Sequence, residues 1–242
     1  DEVEKLKKLL KELEELNREV VDTVKKLLDE LVKLNRDVLR EVRELLKKLI
    51  DALEKTGIDD TVRRRLEDIE RELEKVLEDS ERKLRRIKER LDEVVKESKE
   101  RLERLREELD RLARSNLPRE ELLDAIARVL RKILKVHEDA LRKIEKLLRD
   151  LLRIHRTSLR EIERLLRELL EVIRDVLDKR NVDEELRREL KKLEEEIERA
   201  LERIRRRSEE TADRIRRTLE KLREKSERKR REIEDTLRKD RK

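Results

Sequence analysis

Eight polar residues interrupt the apolar stripes of this chain, and they form four pairs at one interval. Asn17 and Asn35, Ser80 and Ser98, His137 and His155, and Ser208 and Ser226 each lie 18 residues apart. Eighteen residues make five turns of an α-helix, so the two members of a pair share one helix face about 27 Å apart. The positions also reflect onto one another. Asn17 and Ser98 are equidistant from Gly57-Ile58, Ser98 and His137 from Leu117-Pro118, and His137 and Ser226 from Asn181-Val182. Asn35, Ser80, His155 and Ser208 share the same three midpoints. A turn at each midpoint collapses the eight residues into two identical layers, Asn17/Ser98/His137/Ser226 and Asn35/Ser80/His155/Ser208. The fold this predicts is all-α: a long, nearly straight, up-down-up-down antiparallel four-helix bundle, a single domain over 1–242.

The apolar pattern supports helices throughout. Leu, Ile and Val recur at i, i+3, i+4 and i+7, which is helical periodicity and opposes the disorder that a 57% charged composition would otherwise suggest. Phe, Tyr, Trp, Met and Cys are absent, and there is one Gly and one Pro. The remaining alphabet of Leu, Glu, Lys and Arg consists of strong helix formers. The punctuation falls at the three midpoints and predicts helices over about 2–56, 60–114, 118–180 and 183–240. Gly57 suits a left-handed position after the first helix, and Asp59 or Asp60 suits the cap of the second. Asn116 suits a left-handed end to the second, Pro118 the first turn of the third, Asn181 the end of the third, and Asp183 the cap of the fourth.

The repeat extends to apolar positions, among them Val20 and Val38, Ile69 and Ile87, Ile144 and Ile162, and Ile197 and Ile215. An 18-residue repeat leaves helices nearly straight, whereas a strict heptad would supercoil them. The first and third helices carry adjacent apolar pairs such as Leu9-Leu10, Leu45-Leu46, Leu147-Leu148 and Leu165-Leu166, which widen their apolar faces. Their diagonal placement would bury them most and bring Asn and His together at the centre, flanked by the serines. The alternative is that the extra width forms an oligomer interface.

Within a layer, Asn, neutral His and two Ser hydroxyls supply balanced donors and acceptors without a carboxylate. An unpaired buried polar group costs about 1–3 kcal/mol, so such layers penalise every register but one. Other chemistries fit less well. The histidines are too far apart to share a metal, and neither layer offers a second His, Cys, Asp or Glu, so no metal or haem cofactor is expected. His137-Glu138 begins like a zinc-protease motif, but Leu141 stands where the second His belongs. Ser80 or Ser208 beside His155 lacks an orienting acid and an oxyanion hole, so no enzyme is expected. Thr157, Ser158, Thr211 and Thr218 are expected to bond locally to helix carbonyls or extend the networks. Buried neutral histidines would make stability acid-sensitive.

Charge limits the partners. The chain carries a net +6, interspersed along the helices except in the last 20 residues, which are basic and poor in apolar side chains. That segment is read as a solvated helix end, and neither a nucleic-acid nor a membrane partner is expected. No apolar run reaches the roughly 18 residues of a membrane span. The chain starts at Asp1 without Met, so a removed tag or processed terminus is expected. No cellular location is legible.

The phrases ELNREV and KLNRDVL in the first helix, EDSERKL and KESKERL in the second, the 18-residue spacing and the aromatic-free core resemble computationally designed helical bundles with buried hydrogen-bond networks. That group includes homotrimers, orthogonal heterodimers and cage-and-latch switches. The resemblance covers essentially the whole chain. It implies a scaffold or assembly component without a natural biochemical activity, whose Asn, Ser and His set pairing specificity. The switches have six helices, Gly/Ser linkers and an embedded peptide, which this chain lacks. A self-assembling or pH-responsive oligomer is the alternative expectation. Natural rods of the spectrin or apolipoprotein kind contain aromatics and irregular spacing and fit less well.

Overall fold

The computed structural model describes residues 2–55, 57–179 and 182–240, apart from the side chains of Glu2, Leu237 and Asp240. It is an all-α four-helix bundle: α1 (Glu2–Glu54), α2 (Asp60–Arg114), α3 (Arg119–Asp178) and α4 (Glu184–Asp240). No strand occurs among the described residues.

The ends of the helices follow from local chemistry. Gly57 has φ of 77°, the left-handed conformation expected of it. Asp59, rather than Asp60, caps α2: its side-chain Oδ1 accepts from the Thr61 N–H at 3.3 Å, and its carbonyl from the Arg63 N–H at 3.1 Å. Asp183 caps α4 in the same way, through the N–H groups of Glu185 at 3.0 Å and Arg187 at 2.9 Å. Two expectations fail between α2 and α3. Asn116 is not left-handed, since no described residue other than glycine has positive φ. Ser115 closes α2 instead, its N–H and its hydroxyl both donating to the Leu112 carbonyl. Pro118 lies just before α3 rather than in its first turn, and its carbonyl accepts the first helical bond from the Leu122 N–H at 2.9 Å. α1 ends at Glu54 and α3 at Asp178, two residues short of the predicted ends, while Thr56, Arg180 and Asn181 lie outside the described residues.

The chain divides into two compact units. Unit 1 comprises Asp1–Leu27, Arg86–Asp150 and Ile215–Lys242, and unit 2 comprises Leu28–Arg85 and Leu151–Arg214. Each contains a segment of all four helices. In unit 2 the core draws on every helix: Val42, Leu45 and Leu49 from α1, Leu66, Ile69 and Leu73 from α2, Leu166, Leu169 and Ile173 from α3, and Leu190, Leu193 and Ile197 from α4. In unit 1 a core cluster takes Leu6, Leu10 and Leu13 from α1, Leu102, Leu105 and Leu109 from α2, Val129, Leu130 and Ile133 from α3, and, among the described side chains, Ile233 alone from α4. The adjacent pairs that widen α1 and α3 are spent on these interiors. Leu9, Leu10, Leu45, Leu46, Leu147, Leu148, Leu165 and Leu166 are all buried. Leu117, in a turn, is the one large hydrophobic side chain that stands exposed among the described residues.

Ion pairs between neighbouring helices record the topology. Within unit 1, Lys7 pairs with Asp110 and Lys25 with Asp92, so α2 descends as α1 ascends. Lys132–Glu108 and Lys143–Glu97 show the same for α2 and α3, Arg223–Glu145 and Arg230–Glu138 for α3 and α4, and Lys229–Glu12 and Lys225–Glu19 for α4 and α1. Within unit 2, Arg43–Glu74, Arg65–Asp175, Arg205–Glu163 and Lys48–Glu196 repeat the four antiparallel contacts.

Candidate functional site

The eight repeated polar residues lie where the helices of each unit face one another. Seven are buried, and Asn17 is half-buried. A helix interior offers such side chains no free N–H, because each inner N–H is already used along the helix, and only the second lone pair of a carbonyl remains. Each must therefore find its partner on a neighbouring helix or in its own preceding turn.

In unit 2, Asn35 on α1 donates from Nδ2 to the hydroxyl of Ser80 on α2 at 3.1 Å. His155 on α3 meets Ser208 on α4 twice through Nε2, at 2.6 Å from the hydroxyl and 3.1 Å from the carbonyl. A carbonyl only accepts, so the second contact requires the proton on Nε2. In unit 1 the same pairs form. Asn17 Nδ2 donates to the Ser98 hydroxyl at 3.0 Å, and His137 Nε2 lies 2.8 Å from the Ser226 hydroxyl.

Each layer is thus two pairs, one joining α1 to α2 and one joining α3 to α4. No hydrogen bond connects Asn to His among the described residues; each bonds to a serine on an adjacent helix. His137 Nδ1 is buried without a partner, and it alone stands so among the described buried side-chain polar atoms. The neighbouring hydroxyls behave more simply. Thr211 is buried and returns its hydroxyl to the Arg207 carbonyl at 2.9 Å, Ser158 is buried, and Thr157 is exposed.

Burial pushes the pKa of both imidazoles below the ordinary histidine value. Hydrogen bonding to Ser226 partly offsets this for His137, and to Ser208 for His155; the nearby charges of Lys229 and Arg156 add to the depression. Both rings are therefore neutral at pH 7. An open groove of about 410 Å³ between α3 and α4 runs along His137 and Ser226, flanked by Leu141, Glu145, Arg223 and Arg230.

The ion pairs between helices form a second, unanticipated part of the site, because they obey the same interval. Lys7–Asp110, Lys25–Asp92 and Arg43–Glu74 are successive copies, each 18 residues further along α1 and 18 earlier along α2. Arg223–Glu145 and Arg205–Glu163 are such copies between α3 and α4, as are Lys225–Glu19 and Arg207–Asp37 between α4 and α1. The signal was present in the sequence as opposite charges whose position numbers sum to a constant: 117 for the first set, 368 for the second and 244 for the third. Each exposed pair contributes about 0–1 kcal/mol, but all of them favour the register that the polar pairs require.

Among the described residues no cluster of three ligating side chains exists, no helix is long and apolar enough to cross a membrane, and no carboxylate bonds to either imidazole. No protein-family model matches the sequence, and comparison with curated proteins returns no match.

Proposed function

We propose that this chain is a designed structural scaffold, without catalysis or cofactor, in which two repeated sets of buried Asn–Ser and His–Ser pairs set helix register and pairing specificity. The observation that carries this reading is the repetition itself. The same three side-chain types form the same cross-helix pairs in both units, and the interhelical ion pairs follow the same 18-residue interval. Pairs of this kind contribute little net stability, since each replaces bonds to water. They act by making misaligned packings carry several unpaired groups at about 1–3 kcal/mol each. Burial of the wide faces of α1 and α3 supports a chain that completes its own core.

The test is molar mass by light scattering after size exclusion, with concentration from refractive index because Trp and Tyr are absent. The wild-type chain should elute as one species near 29.7 kDa. A variant with Leu at both Asn and both His positions and Ala at the four Ser positions should melt no lower yet populate several masses. A wild-type mass at a multiple of 29.7 kDa would favour the self-assembling alternative. A variant that stays a single monomer with one set of amide resonances would remove the specificity role.

A further inference from the structure

The net charge of the chain is concentrated in one segment. Residues 215–242 hold 13 Lys and Arg against 7 Asp and Glu, which is the entire +6 excess, while residues 1–214 balance at 59 of each sign. This segment stays helical through Asp240 and belongs to unit 1. Several of its cations are engaged with neighbouring helices: Arg223 with Glu145, Lys225 with Glu19, Lys229 with Glu12 and Arg230 with Glu138.

The rest divide by direction. Arg217, Lys221, Arg228 and Lys239 are exposed and have no ionic partner among the described residues. At about 100° per residue they fall within an arc of about 40° on α4, spread over about 33 Å of helix. Glu224 and Asp235 are exposed in nearly the same arc and oppose them in part. The arc holds no large apolar side chain, since Ile215, Leu222 and Ile233 of α4 point into the bundle and are buried. A helix lying in a lipid interface needs an apolar face to insert, so a membrane is a poor match. A linear polyanion is a good one, because a nucleic-acid duplex presents one phosphate charge per about 1.7 Å of axis, or about 20 over this length.

We propose that the α4 stripe Arg217, Lys221, Arg228 and Lys239 docks double-stranded nucleic acid through its phosphate backbone, without reading sequence. With about four phosphates neutralised, affinity falls about 100-fold between 50 and 200 mM salt. The stripe shares no residue with the polar layers, so this binding stands or falls separately from the scaffold reading.

The experiment is fluorescence anisotropy of a labelled 20-base-pair DNA duplex titrated with the full chain at both salt concentrations. Arg217→Glu, Lys221→Glu, Arg228→Glu and Lys239→Glu together should weaken binding at least 10-fold more than a control that reverses four equally exposed, unpaired cations of α2: Arg64→Glu, Lys83→Glu, Arg90→Glu and Lys99→Glu. Both variants have the same net charge, and all eight positions are exposed, so circular dichroism should match wild type. Independently of those reversals, Glu224→Gln with Asp235→Asn should tighten binding several-fold. Equal loss in the two reversed variants would overturn the stripe in favour of net charge. Binding to phosphatidylserine vesicles but not to the duplex, or no duplex binding at 50 mM salt, would overturn the proposal outright.

Discussion

The pairs in unit 2 and the pairs in unit 1 use the same three residue types at the same spacing, yet their surroundings differ. Asn35, Ser80, His155 and Ser208 are all buried, and His155 Nε2 meets both a hydroxyl and a carbonyl. Around their counterparts Asn17 is half-buried, His137 borders an open groove, and its Nδ1 has no partner. The cause is visible in α4. One 18-residue step after buried Thr211, the helix carries half-buried Lys229, which pairs with Glu12 and Glu232 and lies close enough to His137 to disfavour its protonation. One step after Ile204 and Ile197, Leu222 and Ile215 still pack inward, but beyond Ser226 only Ile233 among the described side chains joins the unit 1 cluster. Identical polar pairs thus depend on the apolar side chains around them for the dryness that makes them selective.

The largest perturbation is acid, because it acts on both histidines together. Their folded pKa values are depressed, so the unfolded chain takes up protons first as pH falls. Stability is complete above the unfolded value of about 6.5, declines as pH drops below it, and levels off once pH passes the folded values. Denaturant midpoints at pH 7.5 and pH 4.5, compared with those of a His137→Asn, His155→Asn variant, measure this; if the variant loses as much as wild type, carboxylates rather than imidazoles are responsible.

Asn35→Ala should cost about 2 kcal/mol, since it strands the buried Ser80 hydroxyl and leaves a cavity. Asn17→Ala at the half-buried position should cost less than half as much, and equal losses in urea titrations would erase the contrast between the units. Asp59→Ala should cost about 1 kcal/mol by removing the α2 cap, as it lies outside both layers. His137→Leu combined with Ser226→Ala should be close to neutral, because it removes both members of a pair along with the orphaned Nδ1, whereas Ser226→Ala alone should destabilise. Smallest of all, Arg223→Ala should shift stability by at most about 0.5 kcal/mol and lose even that in 1 M salt.

What could be foreseen from the sequence was what depends on periodicity or on one residue's local chemistry. The four helices, the two sets of four polar residues, Gly57 and the Asp183 cap belong to that class. Asn116 does not take the left-handed position that the sequence suggests, because the serine next to it closes the helix by bonding to Leu112. The partners within each layer were not legible, because the choice between an adjacent and a diagonal hydrogen bond depends on interaxial distances that spacing does not encode; Asn and His each bond to a serine on the adjacent helix. The repeated ion pairs were legible but required comparing positions on two helices at once. The weaker burial at Asn17 was hinted at by the falling apolar content of α4, although composition alone did not point to Lys229.

The ion pairs between α1 and α2 carry a mechanical implication. Lys7–Asp110, Lys25–Asp92 and Arg43–Glu74 are interchangeable copies. If α1 slid 18 residues along α2, Lys25 would meet Asp110, Arg43 would meet Asp92, and Asn35 would meet Ser98. To a sliding helix the interface is a periodic track with a second resting place about 27 Å from the first. The slide would strip buried Ser80 of its Asn35 partner, and the tight connection at Gly57 is too short to follow it. Cutting the chain at Gly57 would convert a single alignment into a ratchet with two stops.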